Sequence, residues 1–246
     1  MRPWVKVAAA GDDGIEGAPA YHRWVSHATP PPEESPSEVD RRARLGSLGV
    51  VVASLAFVVT VTVSLGVPGT DYAWDINMIS DLGDSACRTR GGRRICSPGF
   101  ALFNAGLVVT GLLLLVAGTG LHRLWGRVLA GGVAVMGVGL VIAGVFPAGD
   151  DGAVHLAGVV LALVVPGVAL LLSGIRPETA WLRSRRLARG VLGGVALVFC
   201  AESRLPENLL PRGAGELIIV GCLVLALLFE AARVLTGSSR GGSTGV

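Results

Sequence analysis

The chain has 246 residues, 16% of them charged and 51% hydrophobic, with a mean hydropathy of +0.62. A soluble domain carries about a quarter charged residues, so this composition calls for lipid around the chain. The formal net charge is only +3 and the arginines lie in short loops instead of along one face. That excludes nucleic acid as a partner and leaves membrane lipids as the expected one.

Residues 1–44 read as a disordered cytoplasmic tail. They hold Asp12, Asp13, Glu16, the run Pro30-Pro31-Pro32, Glu33 and Glu34, with no apolar run long enough for a signal-peptide core. Trp4, Tyr21 and Trp24 are its candidates for contact with a membrane surface or a partner. Roughly 20 apolar residues at ~1.5 Å rise cross a ~30 Å hydrocarbon core. Five runs meet that length: 45–67, 99–121, 128–146, 154–175 and 214–234. A sixth, 187–201, reaches it only with Glu202, Ser203 and Arg204 at the interface. The predicted fold is therefore an all-α bundle of six transmembrane helices over residues 45–235, followed by a flexible cytoplasmic tail at 236–246.

Orientation follows from basic residues in short loops. Twelve arginines, among them Arg41, Arg123, Arg183, Arg189 and Arg233, fall on the side shared by both termini. Six fall opposite: Arg88, Arg90, Arg93, Arg94, Arg204 and Arg212. The count places both termini in the cytoplasm of a cell-membrane protein. Cys87 and Cys96 then lie outside, where a disulfide fits an oxidising compartment and would restrict the unfolded chain by ~2.5–3 kcal/mol. A zinc site would want four ligands at other spacings, and no metal is expected. Cys200 and Cys222, inside apolar runs, read as packing residues.

Glycine is abundant, at 36 residues, which favours close helix packing. Gly190 with Gly194, and Ala101 with Ala105, have small-xxx-small spacing, and Pro166 predicts a kink in the fourth span.

Mapped onto this topology, the unusual polar residues gather at the outer end. Asn77, Ser80 and Asp81 come from the first outer loop, Asn104 from the second span, Asp151 and His155 from the start of the fourth, and Glu202 and Glu216 from the last two. Together they are the candidate polar pocket. Asp84 and Asp150 read as solvated faces. Glu202 and Glu216 have two readings, because an ionisable group near a span either serves a site or is neutralised structurally. In the structural reading Glu202 pairs with Arg204 or Arg212, and Glu216 caps its own helix. Asp151 and His155 share a helix face at i,i+4, a spacing that suits acid–base work, metal ligation or plain packing. Ser80 beside Asp81 is a poor nucleophile pair. No P-loop, G-x-S-x-G elbow or H-E-x-x-H occurs, and no cofactor is expected.

The segment Asn77-Met78-Ile79-Ser80-Asp81-Leu82-Gly83, then Phe103-Asn104, then Gly144-Val145-Phe146-Pro147 with Asp150 and His155, resembles the bacterial and archaeal family called domain of unknown function 998. The resemblance covers residues 45–235 and implies a six-helix membrane protein with no established activity. The expected role is non-enzymatic, transport-related or accessory, with the outer pocket binding a lipid head group or a cation. The alternative is a membrane-embedded hydrolase or transferase acting on lipid at the outer leaflet.

Overall fold

A computed structural model describes residues 36–150, 152–205 and 208–237. The tail expected up to residue 35, the chain beyond 237 and Asp151 lie outside the described residues.

The chain is mostly helical. Helix α1 (Pro36–Leu65) starts within the segment read as tail. Proline suits a first helical position, and the i,i+4 pairs Glu38–Arg42 (2.8 Å) and Asp40–Arg44 (3.2 Å) carry the helix ahead of its apolar run. Val50 and Ala53 pack inward, while Leu48, Val52, Leu55 and Val59 form an exposed apolar row suited to lipid. Helix α2 (Phe100–Val145) runs for 46 residues where two separate spans were expected. The division survives as a break, because Gly126 adopts φ 73, ψ 169, outside the helical region. Glu178 accepts the Val128 N–H (3.1 Å) and Thr179 Oγ1 donates to Leu124 O (2.8 Å), so the backbone groups freed at the break are satisfied from a distant segment.

Helix α3 (Gly152–Ile175) contains a π-helical turn at Val160–Val164, which ends two residues before Pro166. Proline cannot donate to the carbonyl four residues back, and the wider turn is how this helix absorbs that loss. The short α4 (Ala180–Arg183) leads to α5 (Arg186–Glu202) and α6 (Arg212–Gly237). Among the described residues, four helices are long and apolar enough to cross a membrane, namely Asp40–Leu65, α2, α3 and α6, which makes this a multi-pass membrane protein by length and composition. At 17 residues α5 falls short of that length.

Helices α3 and α5 meet backbone to backbone. A Cβ on Gly174 would lie 2.6 Å from Gly190 N, and one on Gly193 would lie 2.6 Å from Leu171 N. Gly190 thus sits at a helix contact as its spacing suggested, but Gly193, not Gly194, is its close-packed companion. Gly194 is one residue out of phase and meets only the tip of Leu171.

Between α1 and α2 lie a 3₁₀ turn, Ile79–Gly83, and a hairpin of β1 (Arg88–Arg90) and β2 (Arg93–Ile95) in register Arg88↔Ile95. Gly91 and Gly92 have φ 57 and 80, the pair of positive values that a two-residue type I′ turn needs. The Cys87–Cys96 disulfide closes the hairpin at its base.

Candidate functional site

The I-S-D-L-G segment is held from several sides. Asp81 accepts the Met78 N–H (2.9 Å), a local cap on the 3₁₀ turn. It also takes both Arg93 Nε (2.6 Å) and Nη2 (3.1 Å) from the hairpin, forming a buried ion pair. Its hydrogen bonds to Asp81 raise the Arg93 pKa above the ordinary guanidinium value, against burial, which lowers it. Asn77 Nδ2 donates to Arg94 O (2.8 Å) and its Oδ1 accepts the Ala73 N–H (3.0 Å), so Asn77 joins turn and hairpin. From α2, Asn104 Nδ2 donates to Gly83 O (3.0 Å).

Glu216, on the first turns of α6, accepts the Ile79 N–H. It does not cap its own helix: its carboxylate ties α6 to the start of the 3₁₀ turn. Nearby, the half-buried Tyr72 has its phenol pKa pushed well above its ordinary range, by burial first and then by the Glu216 and Asp81 carboxylates.

A cavity of about 600 Å³ opens beside this assembly. Ser80, Asp81, His155 and Glu216 line it, so four of the eight expected pocket residues converge. Asn77 and Asn104 support the turn from behind without reaching the cavity. Glu202 is buried elsewhere: its carboxylate accepts the Leu210 N–H (3.3 Å), and it makes no ion pair with Arg204 or Arg212 among the described residues. Leu210, shortly before α6, meets the Glu202 carboxylate where an arginine had been expected.

One further expectation changes. Asp84 is 1% exposed, because the hairpin folds Arg88 onto it through Nε (3.0 Å) and Nη2 (2.6 Å). Asp150 remains exposed and accepts Ser85 Oγ (3.0 Å). His155 takes its orientation from carbonyls: Nδ1 lies 3.0 Å from Phe146 O and 3.3 Å from Ala143 O. No group of three or more His, Cys, Asp and Glu that could hold a metal occurs among the described residues.

Sequence reasoning placed Arg204 at this end of the bundle but missed the cavity's other cations. Arg90, Arg93, Arg204 and Arg212 all line it, four arginines against the two carboxylates of Asp81 and Glu216. The signal was present in the orientation count, since all four belong to the six arginines on the basic-poor side.

A second polar cluster, also missed, lies at the other end of the antiparallel α5–α6 pair. Arg189 and Glu230, 1% and 2% exposed, pair at 2.7 Å, and Arg233 reaches the second Glu230 oxygen at 2.8 Å. Arg189 also donates to Ser173 Oγ (3.2 Å), Ser184 O (3.2 Å) and Leu182 O. Arg233 stacks over Trp181, 4.2 Å from the ring centroid. Arg189 had been counted as a loop cation; a buried glutamate within a span was the clue to its partner.

The turn, Asn104 of α2 and His155 of α3 all belong to the residues that a family model matches, 50–213. The chain belongs to the family described as Protein of unknown function (DUF998). The DUF998 match takes in the turn, the hairpin, Asn104, His155 and Glu202, and ends at the start of α6, before Glu216. No curated protein and no solved structure matches the chain.

Proposed function

We propose that the protein crosses the cell membrane six times with both termini cytoplasmic, and that the hairpin-end cavity binds the anionic head group of a membrane lipid in a non-enzymatic, accessory or transport-related role. At ~1.5 Å per residue the 46 residues of α2 span about 69 Å, more than twice the ~30 Å core, and the break at Gly126 falls between two crossings. Helix α5 spans about 26 Å, enough for a crossing with interfacial ends. The twelve-to-six arginine distribution and the Cys87–Cys96 disulfide both favour an exterior hairpin end.

The observation that carries the head-group reading is the excess of arginine at the cavity. Asp81 is neutralised by Arg93, whereas Arg90, Arg204 and Arg212 have no carboxylate partner among the described residues. That favours an anion over the cation also considered from sequence. Leu156, Val159, Leu163 and Ile219 supply an apolar wall beside the cations, as an amphiphile requires.

Delipidated protein should be stabilised against heat by an anionic phospholipid and not by phosphatidylcholine, with the difference lost in Arg204→Gln/Arg212→Gln. Equal responses to both lipids refute the reading, and release of a lipid fragment during the assay moves it to the hydrolase alternative. A reporter fused after Val246 should be active only in the cytoplasm; the reverse result overturns the orientation.

A further inference from the structure

The cavity asks more of its ligand than negative charge, and His155 is where the further requirement arises. The residue is 8% exposed and lines the cavity. Its Nδ1 faces the carbonyl oxygens of Phe146 and Ala143. Carbonyl oxygens only accept, so the ring hydrogen belongs on Nδ1. In the neutral ring Nε2 then carries a lone pair and acts as an acceptor. That Nε2 is buried and has no hydrogen-bond partner among the described residues. A buried, unpaired acceptor on a residue that lines a ligand-sized cavity selects for a donor.

The other groups are graded in the same direction. Arg90, Arg204 and Arg212 are exposed, at the rim, whereas His155 is buried. Ser80 and the Glu216 carboxylate add acceptor oxygens to the lining. Cations at the rim and acceptors within describe a ligand whose phosphate stays near the mouth and whose hydroxyls reach deeper.

Building on the head-group reading above, we propose that the cavity selects a phosphodiester with a polyol head group, glycerol or sugar, whose hydroxyl donates to His155 Nε2 while its phosphate oxygens lie against the rim arginines.

The test uses two lipids of equal charge that differ only in head-group hydroxyls, phosphatidylglycerol and phosphatidylpropanol, titrated onto full-length delipidated protein in detergent. Wild type should prefer phosphatidylglycerol by roughly tenfold, the weight of one hydrogen bond to an otherwise unpaired buried acceptor. His155→Phe should bring the ratio near one while phosphatidylpropanol still binds. His155→Gln, whose amide oxygen is also an acceptor, should keep part of the preference and serves if the phenylalanine variant does not fold. Equal binding of the two lipids to wild type overturns this proposal and leaves the head-group reading standing. Failure of both to bind overturns the head-group reading itself. A preference that survives His155→Phe also overturns the proposal, because the discriminating acceptor is then another residue. Glycerol phosphate in free solution is the third arm: competition by it at lipid-like affinity supports the polyol phosphate chemistry and moves its source from the membrane to the aqueous phase.

Discussion

Removing the Asp81 carboxylate should unfold the hairpin end from the inside. Asp81 accepts two bonds from Arg93 and one from the Met78 N–H, and both charged partners are buried. Asp81→Ala leaves the guanidinium without its counter-ion and the turn without its cap. Stranding one member of a buried pair costs about 3–5 kcal/mol, of which a lost cap is about 1. Asp81→Asn keeps an acceptor for Met78 and separates the two contributions. The decisive measurement is a double-mutant cycle, with reversible unfolding in detergent followed by tryptophan fluorescence for Asp81→Ala, Arg93→Ala and the pair. Because the double variant strands no charge, its loss should fall short of the sum of the singles by roughly 1–3 kcal/mol. Additivity within about 0.5 kcal/mol would refute the pairing as the organising contact of the turn.

At the opposite end, Glu230→Gln strands both Arg189 and Arg233 and should cost about 3–5 kcal/mol in the same unfolding assay, while the surviving folded protein keeps its lipid preference. A Cys87→Ser/Cys96→Ser variant should lose ~2.5–3 kcal/mol and show weaker anionic-lipid binding, since the bridged hairpin carries Arg90 and Arg93; unchanged binding would mean the hairpin holds its shape unaided. Gly174→Val drives a side chain into the Gly190 backbone and should cost about 1–3 kcal/mol, whereas Gly194→Val, which meets only the tip of Leu171, should cost less. The chain has two tyrosines, and Tyr21→Phe leaves Tyr72 alone to be followed by tyrosinate absorbance. Its folded-state pKa is raised, so its stabilising contribution is complete below the ordinary value of 10.0 and is lost as pH climbs above it. Titration of Tyr72 at or below 10.0 in the folded protein would contradict its burial beside the carboxylates.

The apolar runs were legible because spanning a membrane imposes a length and a composition that nothing else in a chain imitates. Asn77, Asp81 and Asn104 were legible as unusual, though not in their roles: all three hold one turn, and only Asp81 reaches the cavity. What escaped was contact between distant segments. Nothing local to Glu178 says that it will cap the chain at Val128, and nothing local to Arg189 says that Glu230 lies beside it. The hairpin had a local signal in Arg90-Gly91-Gly92-Arg93, since adjacent glycines between paired residues suit a type I′ turn. A polar loop bounded by the two cysteines accounts for the same residues, so the glycine pair alone does not decide for a hairpin.

The two polar clusters of the α5–α6 pair differ in a way that bears on function. At the Trp181 end each oxygen of Glu230 meets an arginine, and Arg189 spends its remaining donors on Ser173, Ser184 and Leu182. Such a closed network can orient helices, but it has little left to offer a ligand. At the hairpin end the pairing is incomplete. Asp81 and Arg93 satisfy each other, yet three rim arginines without a carboxylate partner among the described residues line the same cavity as His155, whose Nε2 is unpaired among them. Hydrophobic packing alone does not require a buried acceptor beneath a set of exposed cations, and a buried acceptor is costly to hold without a partner. Helix pairing accounts for the closed cluster; the proposed ligand recognition rests on the open one, whose rim arginines and His155 fall within the residues that the family model matches.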